Sequence, residues 1–324
     1  MPVLTFLEAI RAGLAEEMAR DERIFLIGED IGAYGGAFKV TSGLIDRFGA
    51  ERVIDTPISE TAIIGAAIGA SYVGLRPVAE MQFIDFIACC FDILTNFAAK
   101  SRYRSGAPVP IVVRGPCGGG VSAGPFHSLN PEAYFLNTPG LKIVEPSTAY
   151  DAKGLIKAAI RDDDPVIFLE HKFLYRRLKE EIPPDDYVVP IGKAVVRRSG
   201  SDLTIVTFGA MTHVALEAAA TLGTDGIECE VIDLRTLAPL DREAIIGSIA
   251  KTSRALLVHE ATRTGGIGGE LAALIAEDAF EYLDAPIVRI ASLDTPVPFS
   301  PPLEAAFMPN VTSIIAGARR LLKY

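Results

Sequence analysis

Residues 52–81 read RVIDTPISETAIIGAAIGASYVGLRPVAEM. A short apolar run with β-branched residues (52–56) ends at a turn containing Pro57. A helical stretch over 60–73 follows, and a second apolar run (76–81) closes the segment. Two short buried strands joined by a helix are a β-α-β unit, and its crossover forces the two strands to lie parallel. Between Thr61 and Leu75 there is no charge. A helix that is apolar on nearly all sides is expected to be buried. Gly65 and Gly69, one turn apart, would let another backbone approach it closely.

The same alternation extends in both directions. Further strands are expected at 24–30, 109–115, 141–146 and 165–170, with helices near 5–20, 85–104 and 148–161. Short, continuously apolar runs of this kind suit a parallel sheet covered on both faces. The stretch EEIPPDDYVVPIGKAVVRRSGSD (180–202) is rich in proline and charge and reads as a crossing between domains. Beyond it strands at 203–208, 227–234, 254–260 and 286–292 alternate with helices near 212–222, 241–251, 268–279 and 312–323. The expected fold class is α/β with two doubly wound domains, over 1–185 and 203–324, joined by a linker at 186–202.

Length agrees, since 324 residues at roughly 150 per domain make about two domains. With 31 basic and 41 acidic side chains the formal net charge is −10, which argues against a nucleic-acid partner. The longest uncharged stretch is short and glycine-rich for a bilayer span, so no membrane partner is expected. The N-terminus has Leu4, Leu7, Ile10 and Leu14 at helical spacing with charges between them, unlike a secretion signal, and cytoplasm is the expected location. Cys89, Cys90, Cys117 and Cys229 have no metal-ligand spacing and fit a reducing compartment.

Four segments could carry chemistry. Glu60 falls where a strand has ended and a helix begins, and ligands of open α/β sheets collect at the carboxyl ends of strands. It reads either as an ordinary first-turn acid that favours the helix dipole or as a proton-shuttling carboxylate. Phe83, Phe86 and Phe91 follow the next strand and are either core or a platform for a flat ring. The long stretch VRGPCGGGVSAGPFHSLNPEAYF (113–135) carries His127 among glycines and small polar residues. No Lys-Ser/Thr follows its glycines, so it is not a phosphate-binding P-loop. HEATRTGGIGGELAALIAE (259–277) has the wrong glycine spacing for a dinucleotide fold, and tight packing with helix capping accounts for its glycines. His171, His213 and His259 have no mutual metal-ligand spacing and receive no role.

Taken in order, GEDIGAYGGAFKVT (28–41), DTPISETAIIGAAIGA (55–70), EMQFIDF (80–86), AKSRYRSG (99–106), FHSLNPEAYFLNTPGLKIVEPSTAYDAKGL (126–155) and DPVIFLEHKFLYR (164–176) resemble the beta subunits of pyruvate and branched-chain 2-oxo acid dehydrogenases. FGAMTHVALEAAA (208–220), EVIDLRTLAPLD (230–241) and HEATRTGGIGGELA (259–272) are similar to the transketolase C-terminal domain of the same subunits. The resemblance spans nearly the whole chain. It implies a thiamine-diphosphate pyrimidine-binding domain followed by a transketolase C-terminal-like domain. It also implies thiamine diphosphate as cofactor, with Glu60 on the pyrimidine ring nitrogen and Ile58, Gln82 and Phe86 around the ring. Related branched-chain enzymes often carry Tyr in place of Phe86, so a hydroxyl is missing here and ring stacking is the contact left. His127 would point into the active site, and potassium would bind through backbone oxygens at Asp162 and Asp164.

The Gly-Asp-Gly motif that holds Mg²⁺ and the diphosphate in cofactor-complete relatives does not occur in this chain. The resemblance therefore implies a separate alpha subunit that supplies Mg²⁺ binding, an α2β2 assembly, and an acyltransferase core whose lipoyl groups accept the acyl product. The 2-oxo acid is expected to be branched-chain, with pyruvate and acetoin as alternatives. A split transketolase acting on sugar phosphates and a non-catalytic scaffold are rival readings.

Overall fold

Runs such as IFLIG and VIFLEH bury every residue they can, and a strand that is apolar on both faces must lie in the middle of a layered sheet. A computed structural model describes residues 1–324. They cluster into two units, Met1–Cys117 with Tyr134–Ile191, and Gly118–Ala133 with Gly192–Tyr324.

The first unit contains β1 (Val3–Thr5), α1 (Phe6–Arg20), β2 (Ile24–Gly28), α2 (Leu44–Phe48), β3 (Val53–Asp55), α3 (Glu60–Tyr72), β4 (Arg76–Glu80), α4 (Ala99–Ser105) and β5 (Val112–Cys117). After α5 (Glu132–Leu136) come β6 (Lys142–Val144), α6 (Ala149–Arg161), β7 (Val166–His171) and β8 (Lys179–Glu181). Its parallel strands run in the order β6–β7–β5–β4–β2–β3. The chain steps from β2 outward to β3 and then crosses back to β4 on the other side of β2. That reversal opens a crevice at the carboxyl ends of β2 and β4, the usual ligand position in such sheets. β1 and β8 form a separate antiparallel pair, Val3 opposite Glu181.

Local signals start the helices. Thr5 and Glu8 make a reciprocal capping box on α1, and Thr148 accepts the Asp151 amide at the head of α6. The two helices touch at Gly13, where an added Cβ would stand 3.2 Å from the Lys153 carbonyl and 2.5 Å from Ile156. Under the crevice Arg114, fully buried, is held by Glu80 and Glu170, and its Nη2 lies 2.6 Å from Glu170 Oε2. Tyr175 Oη donates to the same oxygen at 2.7 Å. Two carboxylates share one guanidinium, and burial with the Glu170 charge nearby pushes the Glu80 carboxyl up despite Arg114.

The second unit contains β9 (Val195–Arg198), β10 (Leu203–Thr207), α7 (Met211–Thr224), β11 (Cys229–Asp233), β12 (Thr236–Ala238), α8 (Arg242–Thr252), β13 (Ala255–Thr262), α9 (Gly268–Asp278), β14 (Val288–Ser292), α10 (Pro301–Phe307) and α11 (Val311–Leu321). Its sheet runs β14–β13–β10–β11–β9, parallel except for the antiparallel edge strand β9. Ile205, Val206, Val231, Ile232, Leu256 and Leu257 are fully buried at its centre. No helix of the chain is long and apolar enough to cross a membrane.

Three expectations change. The helix expected near 85–104 is a 3₁₀ stretch (Ile84–Cys90), a π turn (Ile93–Ala98) and then α4. The Cys89 carbonyl is taken by Thr61 Oγ1 (2.7 Å), and Thr95 Oγ1 bonds back to the Phe91 carbonyl (2.8 Å), contacts that compete with a regular α ladder. The 180–202 stretch carries strands at both ends, β8 and β9. Lastly, α3 is not buried all round, because Ala62, Ala66, Gly69 and Tyr72 form an exposed apolar stripe. Gly65 does sit close, its added Cβ falling 3.3 Å from Ile93, but Gly69 faces open space.

Candidate active site

At the carboxyl end of β3 the chain turns through Pro57 and Ser59 into α3, whose first residue is Glu60. Ser59 Oγ bonds the Pro57 carbonyl (3.1 Å) rather than capping the helix, and the Ser59 carbonyl accepts the amides of Ala62 and Ile63 (2.9 and 3.0 Å). Glu60 is half-buried, and Ile58 beside it is 82% exposed. Glu29, just past β2, is buried behind them. It accepts the Ser59 amide, but its Oε1 has no hydrogen-bond partner. Burial, reinforced by the charge of Glu60, pushes the Glu29 carboxyl up. Thr56 Oγ1, also buried, is likewise unpartnered. A half-open carboxylate with unsatisfied polar groups behind it fits the nitrogen edge of a heterocycle, and Ile58 offers apolar surface for its face.

The rest of this edge is built by glycine and acid contacts. Gly32 donates to Asp55 Oδ1 at 2.6 Å, and a side chain at Gly32 would collide with that carboxylate. Gly36, at φ +81°, comes so close that an added Cβ would lie 3.3 Å from Glu80 Oε1. Gln82, past β4, donates to Asp30 Oδ2 at 3.0 Å, which joins the segments following β2 and β4. Of the three aromatics, Phe83 packs edge-on to Phe38 (5.5 Å between centroids), and Phe91 lies against Phe135 (5.5 Å) while staying 46% exposed. Phe86 is half-buried on the 3₁₀ stretch.

His127 lies in the second unit, in the loop between β5 and α5, and is half-buried. The loop is tied down by carboxylates. Gly119 N donates to Glu260 Oε1 (2.6 Å), as does Asn130 Nδ2 (3.0 Å). Gly120 N and Ser122 N donate to the two oxygens of Glu304, both at 2.9 Å. Glu260 ends the buried part of β13 and Glu304 is on α10. Glu132, just after the loop, is 1% exposed, neither of its oxygens has a partner, and its carboxyl is pushed up to about 8 by burial, with the Glu260 charge adding.

The Asp162–Asp164 turn lies after α6. Asp162 binds Lys142 Nζ through both oxygens (2.7 and 2.6 Å), and Asp164 pairs with Arg102. The Asp162 carbonyl accepts from Arg76 and the Asp163 carbonyl from Arg102 (3.1 Å). Arg76, Arg102 and Lys142 thus occupy the side chains of Asp162 and Asp164 and the carbonyls of Asp162 and Asp163, so the turn's oxygens already face the chain's own cations. No group of three or more His, Cys, Asp or Glu residues is arranged to hold a metal. All four cysteines are free thiols, and burial pushes Cys90 and Cys229 up to about 12 and about 11. The glycine turn before α9 packs over buried His259, with an added Cβ at Gly268 falling 2.7 Å from Nε2, and burial drives that imidazole down to about 4.

Glu29, Glu132, Glu260 and Glu304 emerge as site residues only in the fold. Glu29 and Glu260 end apolar strands, the rule that selected Glu60. Glu304 has no comparable signal.

Residues 3–177 match the transketolase pyrimidine binding domain, and residues 192–314 match the transketolase C-terminal domain. The chain is 53% identical over 327 residues to the 2-oxoisovalerate dehydrogenase subunit beta of Bacillus subtilis, with 100% of both chains covered. It is 44% identical over 326 residues to the pyruvate dehydrogenase E1 component subunit beta of the same organism, again over 100% of both. Among solved structures it resembles a split-gene transketolase described as an inactive beta4 tetramer, with a TM-score of 0.81 at 24% identity, covering 99% of this chain and 98% of that one. That likeness speaks for the fold.

Proposed function

The chain belongs to the family of 2-oxo acid dehydrogenase beta subunits, and from that premise we propose that it is the beta half of a thiamine-diphosphate-dependent decarboxylase acting on branched-chain 2-oxo acids. The observation that carries the reading is the placement of Glu60, at the head of α3 and beside the sheet's reversal point, with buried Glu29 behind it. The substrate class rests on the higher identity to the 2-oxoisovalerate relative than to the pyruvate one, 53% against 44%.

Thiamine diphosphate, when bound, supplies the electron sink for loss of carbon dioxide. Glu60 exchanges a proton with the ring nitrogen of its pyrimidine. Ile58 and Phe86 give the ring apolar surface, and Gln82, oriented by Asp30, offers a polar contact at its edge. His127 would give a proton to the departing lipoyl sulfur: the electron pair left on the substrate carbon by loss of carbon dioxide forms the bond to one lipoyl sulfur as the S–S bond breaks, so the substrate carbon is oxidised and the disulfide reduced. Mg²⁺ and the diphosphate fall to an alpha subunit, and potassium at the Asp162–Asp164 turn would have to displace Arg76 and Arg102 from its carbonyls. A melting temperature that is the same in potassium and choline chloride would remove that ion. The exposed stripe of α3 supports a partner chain, since a contiguous apolar helix face is stable when covered.

The test is decarboxylation by this chain alone and mixed with its alpha subunit, thiamine diphosphate and Mg²⁺, with 3-methyl-2-oxobutanoate and pyruvate in parallel. Turnover only in the mixture, faster on the branched acid, is expected. Glu60→Gln in that mixture should lose about 100- to 10,000-fold in rate with an unchanged melting temperature. A fully active Glu60→Gln enzyme would sink the assignment.

A further inference from the structure

The loop that carries His127 closes on itself through Gly118 N to the Leu129 carbonyl (3.1 Å) and His127 N to the Gly124 carbonyl (3.4 Å), but it is short of side chains that could pack. Gly118, Gly119, Gly120 and Gly124 offer no side chains to pack, and a glycine-rich segment loses more entropy on ordering than any other. Three of these glycines, 118, 120 and 124, take positive φ, as does Ser122 (φ 57°), where a side chain makes that conformation strained. Strain of this kind persists only where the surroundings over-determine it. At Ser122 they do so through a single residue, because Glu304 Oε2 accepts both its amide (2.9 Å) and its hydroxyl (3.3 Å). The other oxygen of Glu304 accepts Gly120 N. Glu260 performs the same service for Gly119 N and the Asn130 side chain at the far end of the loop.

Both anchors are buried, Glu260 at 6% and Glu304 at 4% exposure, so these are charge-assisted hydrogen bonds shielded from water. The fit is close. A side chain at Gly119 would meet Met308 Sδ at 3.1 Å and Glu304 Oε1 at 3.3 Å, so these neighbours would have to give way by a few tenths of an ångström. Neither glutamate is adjacent to His127 in sequence, and their hydrogen-bond partners are mainly backbone amides.

We propose that Glu260 and Glu304 are positioning residues for His127: a two-carboxylate clamp that fixes the backbone of the 118–130 loop and so sets where the imidazole stands for acyl transfer. The inference rests on the reading of His127 as the acyl-transfer residue.

The experiment uses the assembled alpha–beta enzyme with thiamine diphosphate and Mg²⁺. Two reactions are measured for wild type, Glu304→Gln, Glu304→Asp, His127→Ala and the double variant His127→Ala/Glu304→Gln. One is decarboxylation with an artificial electron acceptor, and the other is acyl transfer to a lipoylated domain. Glu304→Gln keeps the shape and removes the charge. It is expected to lower kcat for acyl transfer by about tenfold or more while KM for the lipoyl domain and the artificial-acceptor rate change less than about twofold. Glu304→Asp should recover part of the loss. In the His127→Ala background Glu304→Gln should cost nothing further, since residues that act through one another are not additive.

Wild-type acyl transfer by Glu304→Gln, with His127→Ala impaired, overturns the clamp and leaves the reading of His127 standing. An equal loss in both backgrounds overturns it too, because Glu304 would then act independently. A fully active His127→Ala enzyme removes the reading of His127 and the clamp with it. Should the Glu304 variants not assemble, hydrogen exchange on the wild-type complex decides. The amides of Gly119, Gly120 and Ser122 are expected to be protected, and exchange at the rate of an open loop overturns the proposal.

Discussion

The carboxyl of Glu132 ionises at its ordinary value of 4.5 when the chain is unfolded and only at about 8 when it is folded, because burial leaves its charge without solvent and Glu260 adds repulsion. Between those values the native state binds the extra proton. Stability therefore falls as pH rises through that window, by about 1.4 kcal/mol for every step of one in pH. Glutamine resembles the uncharged acid and does not titrate. Glu132→Gln is thus expected to match wild type near pH 5 and to melt progressively higher than wild type towards pH 8. Parallel pH profiles for the two proteins would show that Glu132 is not held neutral. Glu60 was legible in the sequence because a local rule finds it, namely a carboxylate where a buried strand ends and a helix begins. Glu260 and Glu304 were not, because their partners are amides 141 and 184 residues away, and no spacing in the sequence encodes such a pair. The aromatic platform was half legible. The phenylalanines were visible, but their ring partners, Phe38 for Phe83 and Phe135 for Phe91, lie more than 40 residues away in the chain and no spacing encodes them.

At the scale of elements, the long β-α-β strands and helices could be read because burial on both faces leaves continuous apolar runs, and because caps such as Thr5 and Thr148 mark helix starts. The short pieces could not. β1, β8 and β12 have three residues each, too few to carry a period, and unlike the equally short β3 and β6 they do not lie between two helices of the alternation. The 84–105 segment is helical in composition, but tertiary bonds from Thr61 and within Thr95's own turn divide it. α3 is the instructive case, since its sequence asks for burial on every side and the chain covers only one. The uncovered stripe of Ala62, Ala66, Gly69 and Tyr72 is where a neighbouring helix could approach, most closely at Gly69, which has nothing within 4 Å of an added Cβ. Ala66→Arg is therefore expected to leave the melting temperature of the isolated chain within about 0.5 kcal/mol equivalent of wild type, as exposed substitutions do. In the presence of the alpha subunit the same variant should fail to form the mixed assembly in size-exclusion chromatography. Normal assembly by Ala66→Arg would place the partner elsewhere.

At the scale of the whole molecule, charge distinguishes two kinds of partner. The apolar stripe on α3 suits a permanent neighbour. The net charge of −10 suits a partner that comes and goes, and a basic docking module of an acyltransferase core is such a partner. The two contacts should respond oppositely to salt. Raising ionic strength from about 0.1 M to about 1 M shortens the Debye length from roughly 10 Å to roughly 3 Å, which weakens attraction between exposed charges and leaves apolar burial intact. Binding of the assembled enzyme to the isolated docking module is thus expected to weaken by at least about tenfold over that range, mostly through a slower association rate, since rim charges act on encounter. The alpha–beta assembly should persist through the same titration. A docking affinity that does not change with salt would mean that the acidic surface serves solubility alone, and that the core is gripped by apolar contacts instead.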